Sequence, residues 1–445
     1  MNMRKSAAGA AVALLVAGWV SPSPATDLLD TYRIAEKSDP TLRGQVQVSQ
    51  SVAEGRRQAF GSLLPEIGFD LQRTFSNQRV VSADNLVFEV GEARFPTTNW
   101  TLSLSQPVLR FDLSSQLRRA ESEERAAQAE LARVRQSLMV RVAELYFQVL
   151  SSNDNLMFTR TELKAVQGNA KLVAQQYASG VASITDHTEA QARYALVVAD
   201  EVAARRAVSD AEHALAEVLG RPPGNLAELT NKFEAVSPEP ADVTMWTETS
   251  LQQNLELSVR RHEVAAAREQ IETARTGHYP TVDFVARYNR NDSGGSLFGG
   301  GSEVDTYDFS LQLKVPFYQG GRTESAVRQA FAEHGKALED MELSHRAVKR
   351  QVADGFEGAR TAISRIAALT DLVTAQKLVV QNRAEGFKSG LFTLLAVLDA
   401  ERDLNSALRD LSSAKYDYIL SSLRLKEAAG TLQVEDLASI NKWLR

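Results

Sequence analysis

The sequence predicts an α+β membrane protein made of two internal repeats, in which each chain supplies four strands to a shared β-barrel and continues into long helices. Landmark residues recur in the same order in both halves of the chain, which indicates the repeats. Four stretches alternate apolar with polar residues, which indicates strands. Two long stretches nearly free of proline and glycine indicate the helices.

The two repeats are matched by landmarks that keep a nearly constant separation. Pro65 and Pro280 are 215 residues apart, and the glycines of two Ser-Gly pairs, Gly180 and Gly390, are 210 residues apart. A proline-rich segment separates the two copies. The predicted boundaries are a signal peptide at 1–25; a first repeat at 26–220 with a leading helix, a β-hairpin at 66–107 and helices at 112–179 and 184–219; an equatorial connecting segment at 221–250; a second repeat at 251–430 with a leading helix, a β-hairpin at 280–316 and helices at 321–389 and 393–429; and a C-terminal tail at 431–445.

The first residues are typical of a secretion signal. Arg4 and Lys5 precede an apolar stretch at 7–20, and small residues at 23–25 suit cleavage. The apolar stretch is short for a transmembrane helix, so an uncleaved anchor is the weaker alternative. No later stretch has 18 consecutive apolar residues.

Period-two alternation gives each predicted strand one apolar and one polar face. Each strand is about ten residues long, which is enough for a tilted strand to cross a bilayer. The apolar positions are Ile67, Phe69, Leu71 and Phe75; Trp100, Leu102 and Leu104; Val282, Phe284, Ala286 and Tyr288; and Tyr307, Phe309, Leu311, Leu313 and Val315.

A sheet in lipid must close, because open edges leave backbone groups unpaired in hydrocarbon. The smallest bacterial barrels have about eight strands, so four strands require several chains. Two chains would give a barrel filled by its own side chains, whereas three chains would give twelve strands and an open lumen. The sequence therefore predicts a homotrimer, embedded in membrane lipid, around a water-filled channel.

The helical stretches are long and show heptad spacing. At 1.5 Å per residue, the stretch from Asp112 to Ser179 would be about 100 Å long. Val397, Leu404 and Leu411 are spaced by seven residues, which favours left-handed supercoiling. An ordinary coiled-coil dimer is the alternative, but it does not account for the strands.

Five aromatic residues flank the predicted strands. Phe60 and Tyr279 precede strands, and Phe111, Phe317 and Tyr318 follow them. We interpret them as an aromatic girdle at the membrane interface. Ordinary packing where strands meet helices is the alternative.

Composition argues against several classes of function. The chain has no cysteine, which excludes disulfides and cysteine-ligated metals, and a net charge of -6 without a basic tract argues against nucleic acid. The six histidines lack paired metal-ligand spacing, and no nucleophile motif is present, so we expect no enzyme and no cofactor. Carboxylates near Asp186 and Asp399 could suggest metal or acid–base chemistry, but solvated helix faces are far commoner.

Three segments resemble the TolC family of outer-membrane efflux and secretion channels. They are 313–321, 177–193, and 397–400 together with 414–432, in the same order as in that family. The resemblance implies a trimer with a twelve-stranded barrel and a twelve-helix coiled-coil tunnel in the periplasm. It further implies docking to a periplasmic adaptor and an inner-membrane transporter of the ABC or RND type.

The segments look most like the secretion members of the family, so type I protein secretion is the favoured function. Multidrug efflux uses the same kind of channel and is the first alternative. A periplasmic coiled-coil adaptor is the alternative from a different class.

In the family, the two Ser-Gly breaks form the periplasmic tip that contacts the adaptor. Glycine ends a helix there at low steric cost, and a plain helix cap is the alternative role. The resemblance makes adaptor-contact candidates of Gly180, Val181, Gly390, Leu391 and Thr393.

The resemblance also places the family's closing residues on six positions: Thr185, Asp186, Phe387, Phe392, Ala396 and Asp399. The family has a tyrosine, an arginine and an aspartate where this chain has Phe387, Phe392 and Ala396. Because Phe392 cannot pair with a carboxylate, we expect a constriction held by apolar contact. One carboxylate ring, from Asp399, would favour cations and bind multivalent ones. A solvated helix carboxylate is the alternative for Asp399.

Overall fold

The computed structural model describes residues 25–82, 91–230, 232–296 and 300–445. Except for Ala25, the signal peptide predicted at 1–25 lies outside these residues, and so do residues 83–90 of the first predicted hairpin. In chain order the elements are α1 (Leu28–Ser38), α2 (Pro40–Gly61), β1 (Glu66–Val80), β2 (Gly91–Leu109), α3 (Phe111–Ala178), α4 (Ile184–Leu219), α5 (Val243–Gln253), α6 (Leu255–Arg275), a 3-10 turn (Thr276–His278), β3 (Thr281–Ser293), β4 (Ser302–Lys314), α7 (Arg322–Lys388), α8 (Leu394–Ala429) and α9 (Val434–Asn441).

Each repeat begins with two helices, where the sequence predicted one. The first break lies at Asp39, whose backbone is extended (φ -60°, ψ 120°) as expected before a proline. One Asp39 oxygen accepts the Leu42 N–H at 2.7 Å, and the other pairs with the Arg141 guanidinium at 2.5 Å. The side chain thus caps α2 and ties the joint to α3.

The second repeat is broken in the same way at Asn254. Its side-chain oxygen accepts the Leu257 N–H at 3.1 Å, and its amide donates to the Ala428 carbonyl at 2.8 Å. Because α5 starts at Val243, the leading helices of this repeat begin within the predicted connecting segment 221–250.

The four strands form one antiparallel sheet in the order β1-β2-β3-β4. They have 15, 19, 13 and 13 residues, more than the ten expected, because pairing continues outward through polar residues such as Asn77 and Arg94. Apolar pairs such as Phe284 with Leu311 alternate with polar pairs such as Arg287 with Asp308. One face of the sheet is therefore mainly apolar and the other mainly polar. In the described part of the sheet, β1 and β4 each have one outer edge without a partner strand.

The long helices confirm the two repeats. The helices α3 and α7 have 68 and 67 residues, and α4 and α8 both have 36. At 1.5 Å per residue the longer pair spans about 100 Å. We call α3 with α4 the first helical hairpin and α7 with α8 the second; α8 also packs on α3. Among the described residues, none of the helices combines the length and apolar character needed to cross a bilayer.

The main core surrounds the middle of α3, where Tyr146 and Phe147 are fully buried. The Tyr146 hydroxyl donates to the Ala227 carbonyl at 2.7 Å, which holds the connecting segment against this helix. Leu229 of that segment forms an antiparallel bridge with Leu444 of the C-terminal tail. Segment and tail therefore pack together against the middle of the helices, and we call them the collar.

Candidate functional site

The two turns that end α3 and α7 have the same geometry. Gly180 (φ 77°) and Gly390 (φ 80°) adopt the left-handed conformation that glycine favours. The next backbone N–H, of Val181 or Leu391, donates at 2.8 Å to the carbonyl five residues earlier, as in a Schellman motif. The Val181 and Leu391 side chains are 76% and 78% exposed. Both turns therefore present an unpartnered apolar side chain at the far end of a helical hairpin.

The start of α4 is fixed by a reciprocal cap. The Asp186 N–H donates to the Ser183 hydroxyl at 3.1 Å, and the Ser183 N–H donates to the Asp186 carboxylate at 3.1 Å. The Ser183 hydroxyl also donates to that carboxylate at 2.7 Å, which holds the pKa of Asp186 below its usual value. Asp186 is thus engaged within its own chain, while the neighbouring candidate Thr185 is exposed.

The start of α8 lacks the second half of this cap. The Thr393 hydroxyl accepts the Ala396 N–H at 3.2 Å, but Ala396 has no carboxylate to return a bond. Instead, the Phe392 ring lies over Gly386, so close that a Cβ on this glycine would meet Cε2 at 2.9 Å. Phe387 is partly exposed on the same turn. The contact that the structure gives Phe392 is therefore apolar.

In the first hairpin, an aromatic contact lies at the turn. The rings of Tyr177 and His187 stack 5.0 Å apart and nearly parallel, at 2°. This contact joins the last turn of α3 to the first turn of α4. Sequence reasoning missed it, although both residues lie within the segment 177–193.

An ion pair that sequence reasoning missed joins the two hairpins near their turns. The Arg193 guanidinium on α4 donates to the Asp399 carboxylate on α8 at 2.8 Å. Arg402 lies 4.0 Å from the same carboxylate and 3.1 Å from Asp403. Because 206 residues separate Arg193 from Asp399, no local spacing could have indicated the contact.

The apolar face of the sheet is exposed along its length. Phe309 on β4 is 75% exposed, and its apolar neighbours on β1 and β4 are also open to solvent. A surface of this size is unusual for a water-soluble monomer. The exposed apolar side chains are Ile67, Phe69, Leu71, Phe75, Trp100, Leu102, Tyr307, Phe309, Leu311 and Leu313.

The predicted aromatic residues lie where strands meet helices, but they do not form one cluster. Phe111 and Tyr279 pack edge to face, with centroids 5.6 Å apart. Phe317 and Tyr318 project outward, 94% and 87% exposed, and Phe60 is also exposed. The structure therefore brings one pair together and leaves the other three open to the surroundings.

Behind the aromatic pair, an ionic contact fixes the corner between β2 and α3. Arg110 pairs with Asp112 at 2.9 Å and with Asp283 of β3 at 3.4 Å. The hydrogen bond from Arg110 is the main reason that the pKa of Asp112 is lowered. This contact, also missed from the sequence, links the second repeat's strand to the first repeat's long helix.

A family model described as "Outer membrane efflux protein" matches the chain twice, at residues 31–221 and 246–431. The chain is 31% identical to "Outer membrane protein TolC" of Vibrio cholerae, over 95% of this chain and 94% of that protein. It is 29% identical to "Alkaline protease secretion protein AprF" of Pseudomonas aeruginosa, over 93% of this chain and 86% of that protein.

Among solved structures, the Campylobacter jejuni CmeC outer membrane channel matches with a TM-score of 0.81 and 14% identity. The match covers 100% of this chain and 98% of that chain, and it shows that the fold is shared. The double match, the two repeats and the exposed sheet agree with one another. The chain therefore belongs to the outer membrane efflux protein family, and it is a transport channel of the outer membrane with its helices in the periplasm rather than an enzyme.

Proposed function

We propose that three copies of this chain form one channel that exports proteins by type I secretion. In this proposal the channel receives its substrate from an inner-membrane transporter through a periplasmic adaptor. The observation that carries the proposal is the exposed apolar face of an open four-stranded sheet, joined directly to two helical hairpins.

The sheet supports closure by neighbouring copies. The free edges of β1 and β4 would leave backbone N–H and C=O groups unpaired in hydrocarbon, so β4 of one copy must pair with β1 of the next. The apolar face then meets lipid, and the polar face, with Arg287 opposite Asp308, lines the lumen. Three copies give twelve strands, which leaves a water-filled opening that eight strands would not.

The helices support a tunnel below the barrel. The described part of each chain contains four long helices, so three chains would supply twelve. At about 100 Å, α3 and α7 are long enough to carry a lumen far into the periplasm. The projecting side chains of Val181 and Leu391 mark the tunnel end as the adaptor-contact surface, together with Gly180, Gly390 and Thr393. We assign the constriction to the neighbouring residues Thr185, Asp186, Phe387, Phe392, Ala396 and Asp399.

At the other end of the tunnel, Phe60, Phe111, Tyr279, Phe317 and Tyr318 would lie at the membrane interface. Aromatic rings favour this region because one part of the ring is apolar while its edge tolerates water. The strong exposure of Phe317 and Tyr318 supports this placement, since no described residue of the chain covers these two side chains.

Type I secretion is favoured by the names of the relatives, one of which is a protease secretion protein. Small-molecule efflux, with an RND transporter in place of an ABC transporter, is the alternative that the family description allows. A periplasmic adaptor would not account for the apolar sheet.

A matched pair of substitutions on β4 tests the membrane assignment. Phe309→Lys places a charge on the apolar face, at a cost of about 2–4 kcal/mol near the bilayer centre. Ser310→Lys places the same charge on the polar face, one residue later. We expect Phe309→Lys to reduce trimer recovery from the outer membrane, and Ser310→Lys to assemble and conduct in planar bilayers. Equal recovery of both variants, or a soluble monomeric wild type, would contradict the proposal.

Secretion and efflux are separated by a complementation experiment. The gene is expressed in a strain that lacks its own channel, together with either a type I protease exporter or a drug pump. We expect protease in the medium and little change in drug tolerance. The reverse result would favour efflux while leaving the channel assignment intact.

A further inference from the structure

We propose that Arg193 determines the ionic selectivity of the channel by neutralising Asp399. The inference rests on the proposed channel function, in which Asp399 belongs to the constriction. A sequence reading that considers only Asp399 predicts an anionic ring; the structure adds a cation to each carboxylate.

The pair has the geometry of a strong interaction. The Arg193 nitrogen lies 2.8 Å from the Asp399 oxygen, within the range of charge-assisted hydrogen bonds. The Arg193 side chain is only 18% exposed and the Asp399 side chain 36%, so solvent screens the pair less than it screens most surface pairs. Arg402 and Asp403 lie beside them and pair with each other, so the group of four side chains has no net charge.

The position of the pair is also distinctive. Among the ion pairs of the described residues, two join the first helical hairpin to the second: Arg193 with Asp399, and Arg424 with Glu144. The latter lies near the collar, far from the turns. At the tunnel end, Arg193 is therefore the positive charge that reaches Asp399 from the other hairpin.

Pairing changes what a passing ion experiences. An unpaired carboxylate near the pore axis attracts cations, and a ring of them holds multivalent cations. A guanidinium 2.8 Å away cancels most of that field at the distance of the ion path, because the two opposite charges act together as a short dipole. We therefore expect a weakly selective wild-type channel that multivalent cations do not block.

Reversal potentials in a KCl gradient across planar bilayers test this. Arg193→Gln leaves Asp399 with only the more distant Arg402, which lies 4.0 Å away and pairs with Asp403. It should raise the K⁺-to-Cl⁻ permeability ratio about fivefold, the effect in water of three exposed carboxylates roughly 10 Å from the ion when salt screens them over about 10 Å. Asp399→Asn leaves Arg193 unpaired and should shift the ratio toward Cl⁻ by a similar factor. The double variant Arg193→Gln with Asp399→Asn should return to the wild-type ratio, since charge balance is restored although the ion pair is absent.

Arg206→Gln is the matched control. It removes the same charge from the same helix, at an exposed position that pairs with Asp210 within α4. We expect no change in selectivity. Block by La³⁺ gives a second readout and should be pronounced in Arg193→Gln alone.

The outcomes separate the two proposals. A wild type that is already strongly cation-selective, with no increase in Arg193→Gln, would overturn the role of Arg193 and leave the channel function standing. An equal shift in Arg206→Gln would also overturn it, because the effect would then depend on overall charge. A wild type that assembles in the membrane but never conducts would overturn the proposed function, and the selectivity role with it.

Discussion

The glycines that end α4 and α8 allow one structural argument to be tested with an internal control. Gly430 and Gly220 occupy equivalent places in the two repeats, and both are left-handed, with φ of 76° and 67°. A Cβ on Gly430 would lie 2.5 Å from the carbonyl carbon of Gln253 and 2.8 Å from the nitrogen of Asn254. A Cβ on Gly220 would meet only the Ser38 Cβ, at 3.7 Å, which is ordinary contact.

The expected cost of alanine therefore differs between the two sites. The left-handed conformation costs about 1–2 kcal/mol at either position. Gly430→Ala adds a clash with backbone at the joint between α5 and α6, and forced displacement in a packed region costs about 1–3 kcal/mol more. We expect Gly220→Ala to lose about 1–2 kcal/mol of stability and Gly430→Ala about 2–5 kcal/mol.

Thermal unfolding in detergent, followed by tryptophan fluorescence, measures the difference. Trp246 packs against Ala428 and Ala429 beside the Gly430 joint and so reports on this region. Unfolding of a large membrane assembly is usually irreversible, so both variants must be heated at one rate. Equal midpoints for the two variants would refute the argument that the α5–α6 backbone requires glycine at 430.

Three further predictions concern the helical hairpins and the collar. Asp186→Ala removes half of the cap at α4 and should speed amide exchange in the first turn of that helix about fivefold. Ala396→Asp should slow exchange in the first turn of α8, because it supplies the missing half of the cap there. Hydrogen-exchange mass spectrometry measures both rates, and unchanged rates would rule out the capping role. Burial, followed by the nearby Glu144, raises the pKa of Glu427, so its contribution to stability is present below about pH 4.5 and is lost as pH rises through the folded-state pKa. Glu427→Gln should therefore raise the unfolding midpoint at pH 7, with a gain that shrinks toward pH 4, and a gain that is constant with pH would contradict this. Because the chain has no cysteine, spin labels at Val181→Cys and Leu391→Cys, diluted with unlabelled chains, report the distance between the two turns. Arg193→Gln should broaden that distance distribution, Arg206→Gln should not, and identical distributions would show that the ion pair does not hold the hairpins together.

The sheet could be predicted from the sequence because the relevant signal is local. Alternation such as that of Phe309, Leu311 and Leu313 fixes which face is apolar, whatever the strand pairs with. The same holds for the turns, where Gly180 and Gly390 end long stretches that contain no proline. Strand length was underestimated, since paired residues beyond the apolar stretch are polar and resemble a loop.

The sequence contains local signals for the breaks in the leading helices. Asp39 precedes a proline, and Asn254 is a good N-cap residue, so each could have ended one helix and begun another. What no local pattern gives is the reason that these residues are buried. The partners, Arg141 for Asp39 and the Ala428 carbonyl for Asn254, come from distant parts of the chain.

Because contacts between distant residues leave no local pattern, the sequence alone suggests that Asp399 is a free carboxylate. The family resemblance assigns roles to single positions, and this chain has Phe392 where the family has the arginine that pairs with a carboxylate. The four long helices carry many arginines, and their sequence positions do not show which of them lies near Asp399. Only the packing of the second helical hairpin on the first brings Arg193 to Asp399, because the two residues belong to different repeats.

The two turns have diverged in a way that assigns them different properties. Offset by 210 residues, Asp186 corresponds to Ala396, so the second hairpin lacks the carboxylate that completes the cap on the first. At the second turn, Phe392 packs on Gly386, which is an apolar contact. A missing cap partner costs about 1 kcal/mol of helix stability, and the first turn of α8 should therefore open locally more often than that of α4. Because Asp399 follows in the next turn of α8, we expect fraying there to loosen the carboxylate from Arg193 before the rest of the helix moves.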